Sequence, residues 1–225
     1  MSNSDSFIEE VTEAVRRDRL YGYLRRYGWI AALVVVLIVA GAAWTEWRKA
    51  QEAARAEALG DSIISALTRD PAEARADAIT GIDPEDAEAR AVVNMLAAAE
   101  LAGSGETAAA VERLTEVAEN GEVPEIYRMV AGFKALLLRA PEMAPEERRA
   151  GFEGFAAPGN RMRLLAEEQL ALLSIETGDR DAAIEQLQSI LNDAEASPDL
   201  QQRAMQVIVA LGGEPDRGVP AQAGN

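Results

Sequence analysis

The sequence predicts an all-α protein: one N-terminal transmembrane helix followed by a solenoid of helical hairpins. Three observations carry that expectation. A run of 19 residues, Tyr27 to Thr45, holds no charge. Beyond it, apolar residues recur at three- and four-residue spacing, as amphipathic helices require. Glycine and proline cut this remainder into helix-length segments, and no window of β-branched alternation is long enough to make a strand.

The uncharged run is Tyr27-Gly28-Trp29 through Leu33–Val39 to Ala43-Trp44-Thr45. As a helix it extends roughly 28 Å, close to the ~30 Å hydrocarbon core of a bilayer. A helix also satisfies its own backbone polar groups, which lipid cannot do. Tyr27 and Trp29 stand at one end, Trp44 and Trp47 at the other, where amphipathic rings meet the headgroups. The rival readings are a buried core helix and a cleaved signal peptide. A core helix rarely runs so long without a polar residue. Ala40-Gly41-Ala42 does fit a small-x-small cleavage site, but the preceding segment is long, contains five acidic residues and ends in aromatic residues.

Arg16, Arg17, Arg19, Arg25 and Arg26 precede the span; only Arg48, Lys49 and Arg55 follow it closely. That excess places the N-terminus in the cytoplasm. The N-tail is neutral, with five acidic and five basic residues, so the formal charge of −16 belongs wholly to the segment beyond the span. An outer surface this acidic is a poor binder of nucleic acid or anionic headgroups.

Taken in order, residues 1–26 form a cytoplasmic tail. Its first six residues read as disordered, and Phe7, Ile8, Val11, Val15 and Leu20 then mark an amphipathic helix. That helix serves as a docking or membrane-surface element, or is simply solvated. The transmembrane helix occupies 27–45. Residues 46–75 read as a stalk and the first outer helices, with Gly60 the first weak point and Leu59, Ile63, Ile64 and Leu67 as one apolar stripe. Asp70-Pro71 and Asp83-Pro84 each read as a cap followed by a first-turn proline. Further helices are expected at about 85–102, Thr107–Glu119, Pro124–Arg139, Pro145–Ala157, 161–177, 180–194 and from Pro198 to before Gly212. Residues 213–225 read as a disordered tail.

Within 76–212 a repeat is legible. Leu170-Ala171, Gly178-Asp179, Ala183-Ile184 and Leu187 follow the tetratricopeptide pattern: small residues let two helices approach, and a glycine permits the tight turn. The same register gives Ala97-Ala98, Gly105, Ala110-Val111 and Leu114. The unit between, Pro124–Gly159, lacks the turn glycine and reads as degenerate. The alternative is a generic helical bundle with coincidental spacing.

The chain contains no cysteine and no histidine. That excludes the usual nucleophile–base pairs and most transition-metal sites. No phosphate loop, dinucleotide fingerprint or calcium loop is present. The sequence therefore predicts no enzyme, no cofactor and no metal.

Two stretches carry a family resemblance. One runs from Phe7-Ile8-Glu9-Glu10-Val11 through Arg16-Arg17-Asp18-Arg19-Leu20 and Tyr27-Gly28 to Trp44-Thr45-Glu46-Trp47. The other comprises Ala157-Pro158-Gly159, Leu164–Gly178, Gln201-Gln202-Arg203-Ala204 and Leu211-Gly212-Gly213. In these the chain resembles the ancillary subunits of the Sec translocon, single-span inner-membrane proteins with a periplasmic tetratricopeptide-like domain, in their alphaproteobacterial form. The resemblance implies a bacterial inner-membrane protein with a periplasmic C-terminal domain. It also implies an accessory role at the secretion channel, with the translocon, periplasmic chaperones and client polypeptides as partners. The alternatives are a scaffold for envelope assembly or cell division, and an anchor holding a cytoplasmic factor through its N-tail. In tetratricopeptide arrays the first helices of the repeats line the binding face. That register selects Val92, Met95 and Ala99 in one unit and Leu165, Glu168 and Leu172 in another, with Glu168 expected to be solvent-exposed.

Overall fold

The computed structural model describes residues 3–216, with side chains from 26 onward except at 31. The described residues hold nine α-helices and one 3₁₀ turn, and none of them is in a strand. The first helix, α1, is Asn3–Leu67, 65 residues without interruption. Residues 3–6, expected to be disordered, already belong to it. The side chains of Phe7 through Leu20, expected to form an amphipathic face, lie outside those described. Gly60 does not break the helix, because one interior glycine costs only about 1 kcal/mol against the cooperativity of the turns on either side.

The apolar part of α1 is long enough to cross a membrane, and none of that window is buried by the rest of the chain. Val35 is 58% exposed and Ile38 66%. Such exposure in a chain with ample buried core elsewhere removes the core-helix reading. Trp44 and Trp47 pack on each other with ring centroids 5.3 Å apart.

The chain divides into two compact units between Asp61 and Ser62, inside α1. The expected apolar stripe at this end of α1 splits. Leu59 and Ile63 are half-buried and Ala66 is buried, whereas Ile64 and Leu67 stay exposed. A helix turns ~100° per residue, so adjacent Ile63 and Ile64 cannot share one narrow face.

The second unit holds α2 (Ala72–Thr80), α3 (Ala87–Gly103), α4 (Thr107–Glu119), α5 (Glu125–Arg139), α6 (Pro145–Phe155), α7 (Arg163–Glu176), α8 (Arg180–Asn192) and α9 (Pro198–Ala210). Consecutive helices pack on one another: α2 on α3, α3 on α4, α4 on α5, and α6 through α9 in turn. Helix α5 also touches α3 and α6. Three apolar layers follow the same order. The first contains Ala98, Ala110, Leu114 and Ala131. The second contains Phe133, Phe152 and Ala166. The third contains Ala171, Leu187, Leu200 and Ile208.

Two cap assignments differ from expectation. Pro71 is itself the N-cap of α2, and no side chain caps that end; Asp70 instead pairs with Arg75 at 3.3 Å. The cap of α3 is Asp86, whose carboxylate accepts from the Ala89 N–H at 2.9 Å. Asp83 is occupied by Arg90, whose guanidinium also donates to the Pro84 carbonyl. An aspartate near a helix start has several ways to be satisfied, and the nearby arginines decide between them. Ser197 caps α9, with Pro198 in its first turn.

The turns α3–α4 and α7–α8 share one geometry. Gly105 and Gly178 have φ of 90° and 85°, the left-handed region that a Cβ disfavours. The Glu106 N–H donates to the Leu101 carbonyl and the Asp179 N–H to that of Ser174, both at 2.8 Å. These six-to-one bonds close the helix end in the Schellman manner. Gly212, with φ 74°, ends α9 the same way, the Gly213 N–H reaching Ile208. Residues 213–216 therefore do not begin a free tail. Gly213 lies against Ile184 and Ile208, and the Asp216 backbone exchanges hydrogen bonds with the Gln188 side chain.

Candidate functional site

Helix α5 supplies the centre of the candidate site because its apolar residues exceed what one buried face can hold. Ala131 and Ala135 turn into the core. Lys134, Leu137 and Leu138, at i, i+3 and i+4, line a neighbouring stripe. Across from them stand Met95, Ala99 and Ala102 of α3, and between the two helices runs a groove of about 160 Å³. Lys134 is exposed and is the only charged residue among those lining it. Among the described residues Lys134 makes no ion pair.

Leu137 also lines a second depression, formed with Arg148 and Phe152 of α6 and Gln169, Leu172 and Glu176 of α7. The two hollows therefore adjoin. The second is more polar. Arg148, with a side chain 15% exposed, donates from Nη2 to Glu176. This hydrogen bond holds the Glu176 carboxyl below its ordinary range and raises the arginine. Arg148 Nε is buried without a partner, so the guanidinium is only partly satisfied.

The six residues selected from the sequence separate into different environments. Met95 and Ala99 line the first hollow. Leu172, 40% exposed, lines the second. Val92 is half-buried on α3 and lines neither. Leu165 packs into the layer around Phe133 and Phe152. Glu168 is not a free surface charge: its side chain is 12% exposed, and Arg203 of α9 grips both its oxygens at 2.8 and 2.9 Å. Helical register fixes which face a residue occupies but not what a helix 35 positions later brings against that face. Lys134, Leu137 and Leu138 were missed because they belong to the unit that reads as degenerate. Their i, i+3, i+4 spacing around the only lysine beyond the stalk was the available signal.

Chemically, the first hollow offers aliphatic contact and one cation. Among the described residues no group of three or more acidic side chains is arranged to hold a metal ion. No family model matches this chain, and neither does any curated protein or solved structure.

Proposed function

We propose that this protein is a membrane-anchored adaptor without enzymatic activity. Its N-terminus lies in the cytoplasm, and its tetratricopeptide-like outer domain faces the periplasm across a bacterial inner membrane. It acts as an accessory subunit of the Sec translocon and passes translocated proteins to periplasmic chaperones. The observation that carries this reading is α1, one helix bearing an exposed apolar span and continuing into the second unit's first residues. An anchor of that kind confines the helical unit to the membrane surface, where weak contacts suffice because effective concentration is high. The adjoining hollows on α3, α5, α6 and α7 suit polypeptide recognition better than small-molecule chemistry, being open and mainly aliphatic on the α3 side. The repeated glycine turns at 105 and 178 support the tetratricopeptide-like description. The link to secretion comes from the resemblance of the N-terminal and α7–α9 sequences.

The test is affinity purification of the tagged full chain from mild detergent. Translocon subunits and periplasmic chaperones should dominate the co-purified proteins. Division or envelope-assembly proteins in their place would favour the scaffold reading, and a cytoplasmic factor lost on deleting residues 1–26 would favour the anchor reading.

A further inference from the structure

Two loops of the second unit hold an asparagine in the same hydrogen-bonded turn. Between α4 and α5, Asn120 Oδ1 accepts from the Glu122 N–H at 2.9 Å, and the Asn120 carbonyl accepts from the Val123 N–H at 3.1 Å. Between α6 and α7, Asn160 Oδ1 accepts from the Met162 N–H at 2.8 Å, and its carbonyl from the Arg163 N–H at 3.0 Å. Both asparagines are half-buried. In such turns the side-chain carbonyl stands in for a backbone one. The two differ in the residue that follows, Gly121 in one and Arg161 in the other. Asn-Gly occurs once in the chain.

Asparagine is thermolabile because its side-chain amide lies within reach of the next residue's backbone nitrogen. Glycine puts no Cβ beside that nitrogen. Among the described residues the Gly121 N–H donates to no acceptor. The Glu122 N–H already points at Oδ1, the atom on which negative charge develops when Cγ is attacked. Bringing the nitrogen to Cγ requires the Asn120–Gly121 peptide plane to turn away from its ψ of 108°. That motion breaks one hydrogen bond, from the Val123 N–H to the Asn120 carbonyl. Gly121 absorbs the rotation, since even a Cβ built on it would meet no atom within 4 Å.

We infer that Asn120 is a site of spontaneous deamidation, a reaction that reroutes the connection between α4 and α5. Hydroxide removes the proton from the Gly121 nitrogen, which attacks Asn120 Cγ. The Cγ–Nδ2 bond breaks, ammonia leaves, and a cyclic succinimide remains. Water then opens the ring at either of its carbonyls. Opening at Cγ gives aspartate. Opening at the main-chain carbonyl gives isoaspartate, in which the chain runs through Cβ and gains a methylene. The net exchange is amide and water for acid and ammonia, with nothing oxidised or reduced. Either product adds a carboxylate to an acidic unit. Isoaspartate also lengthens the link ahead of Val123, 4% exposed in the first apolar layer, and of α5, whose Lys134 and Leu138 line the groove.

The test compares the two turns within one molecule. The full-length protein in mild detergent is held at neutral and at mildly alkaline pH in water enriched in heavy oxygen. Only carboxylates formed during that incubation take up the label. After return to ordinary water, trypsin releases residues 114–128 and 150–161, each holding one of the two asparagines. Label should enter 114–128 at least roughly ten-fold faster than 150–161. The rate should rise with pH, and the labelled peptide should separate into an aspartyl and an isoaspartyl form. Equal labelling of the two peptides, or none in 114–128, overturns the inference. Aspartate without isoaspartate overturns the rerouting. Gly121→Ala should bring the rate at Asn120 down to that at Asn160. Its Cβ has open space and the Gly121 backbone is not left-handed, so the thermal melt should not move. An unchanged labelling rate in that variant would overturn the role given to the glycine, and the site with it.

Discussion

The hairpins α3–α4 and α7–α8 solve helix packing in one way, and the middle pair, α5–α6, solves it in another. In the outer two, alanines occupy the close-contact positions: Ala98 and Ala110 in one, Ala171 and Ala183 in the other, none more than 2% exposed. Their turns close through a left-handed glycine. In the middle pair a 3₁₀ turn at Ala140–Glu142 and Pro145 in the first turn of α6 make the connection. Close approach comes from glycine within the helices. A Cβ at Gly151 would stand 2.9 Å from Leu136 Cδ1, and one at Gly132 would stand 3.5 Å from Phe155 Cζ. The remaining space holds Phe133 edge-on to Phe152 and Phe155, with centroids 6.0 and 5.3 Å apart. The unit that looks degenerate as a pattern is packed with a different residue set; it exchanges alanine pairs for glycine and phenylalanine.

That contrast is most open to disruption in the aromatic layer. Phe152→Ala empties the centre of the middle layer and should cost about 3–5 kcal/mol, seen as a lower denaturation midpoint of the full chain. A loss below ~1 kcal/mol would mean that the aromatic layer does not join the regular hairpins. Next come Ala183→Leu and Ala110→Leu, which add three carbons at fully buried contacts. Each should cost about 1–3 kcal/mol, and the two should agree closely if the hairpins are equivalent. A large loss from one and none from the other would end the equivalence. The smallest effect belongs to the turns. Gly178→Ala and Gly105→Ala meet no atom within 4 Å, so the cost is conformational alone, about 1–2 kcal/mol. Equal shifts in melting temperature would show that both turns need the left-handed backbone to the same degree.

Much of this was legible in the sequence, for reasons that particular residues make plain. Glycine at 105 and 178 and proline at 145 and 198 act locally, so they reveal helix ends without knowledge of neighbours. The expected Thr107–Glu119 coincides with α4 for that reason. The exposed span was equally local, since length and absence of charge define it. What failed depended on the third dimension. Asp83 read as the cap before α3, but Arg90 claims its carboxylate and Asp86 caps the helix. Glu168 looked solvated until Arg203 arrived from α9. The face of α5 was overlooked because the repeat pattern directs attention to helix pairs joined by a turn glycine, and α5 and α6 are joined through a 3₁₀ turn instead. Of the six residues selected as a site, Met95 and Ala99 line the α3–α5 groove and Leu172 the adjoining hollow. Register alone separates lining residues from core only where no later helix covers them.

The order in which the helices pack also bears on how the chain acquires its structure. Every substantial helix contact in the second unit joins neighbours in sequence, apart from the reach of α5 to α3. Contacts of short sequence separation require little loop-closure entropy and form quickly. A chain delivered from its N-terminus therefore meets, at each step, a partner helix that is already present. The unit can consolidate hairpin by hairpin while later segments are still arriving, so its newly exposed aliphatic faces stay uncovered only briefly.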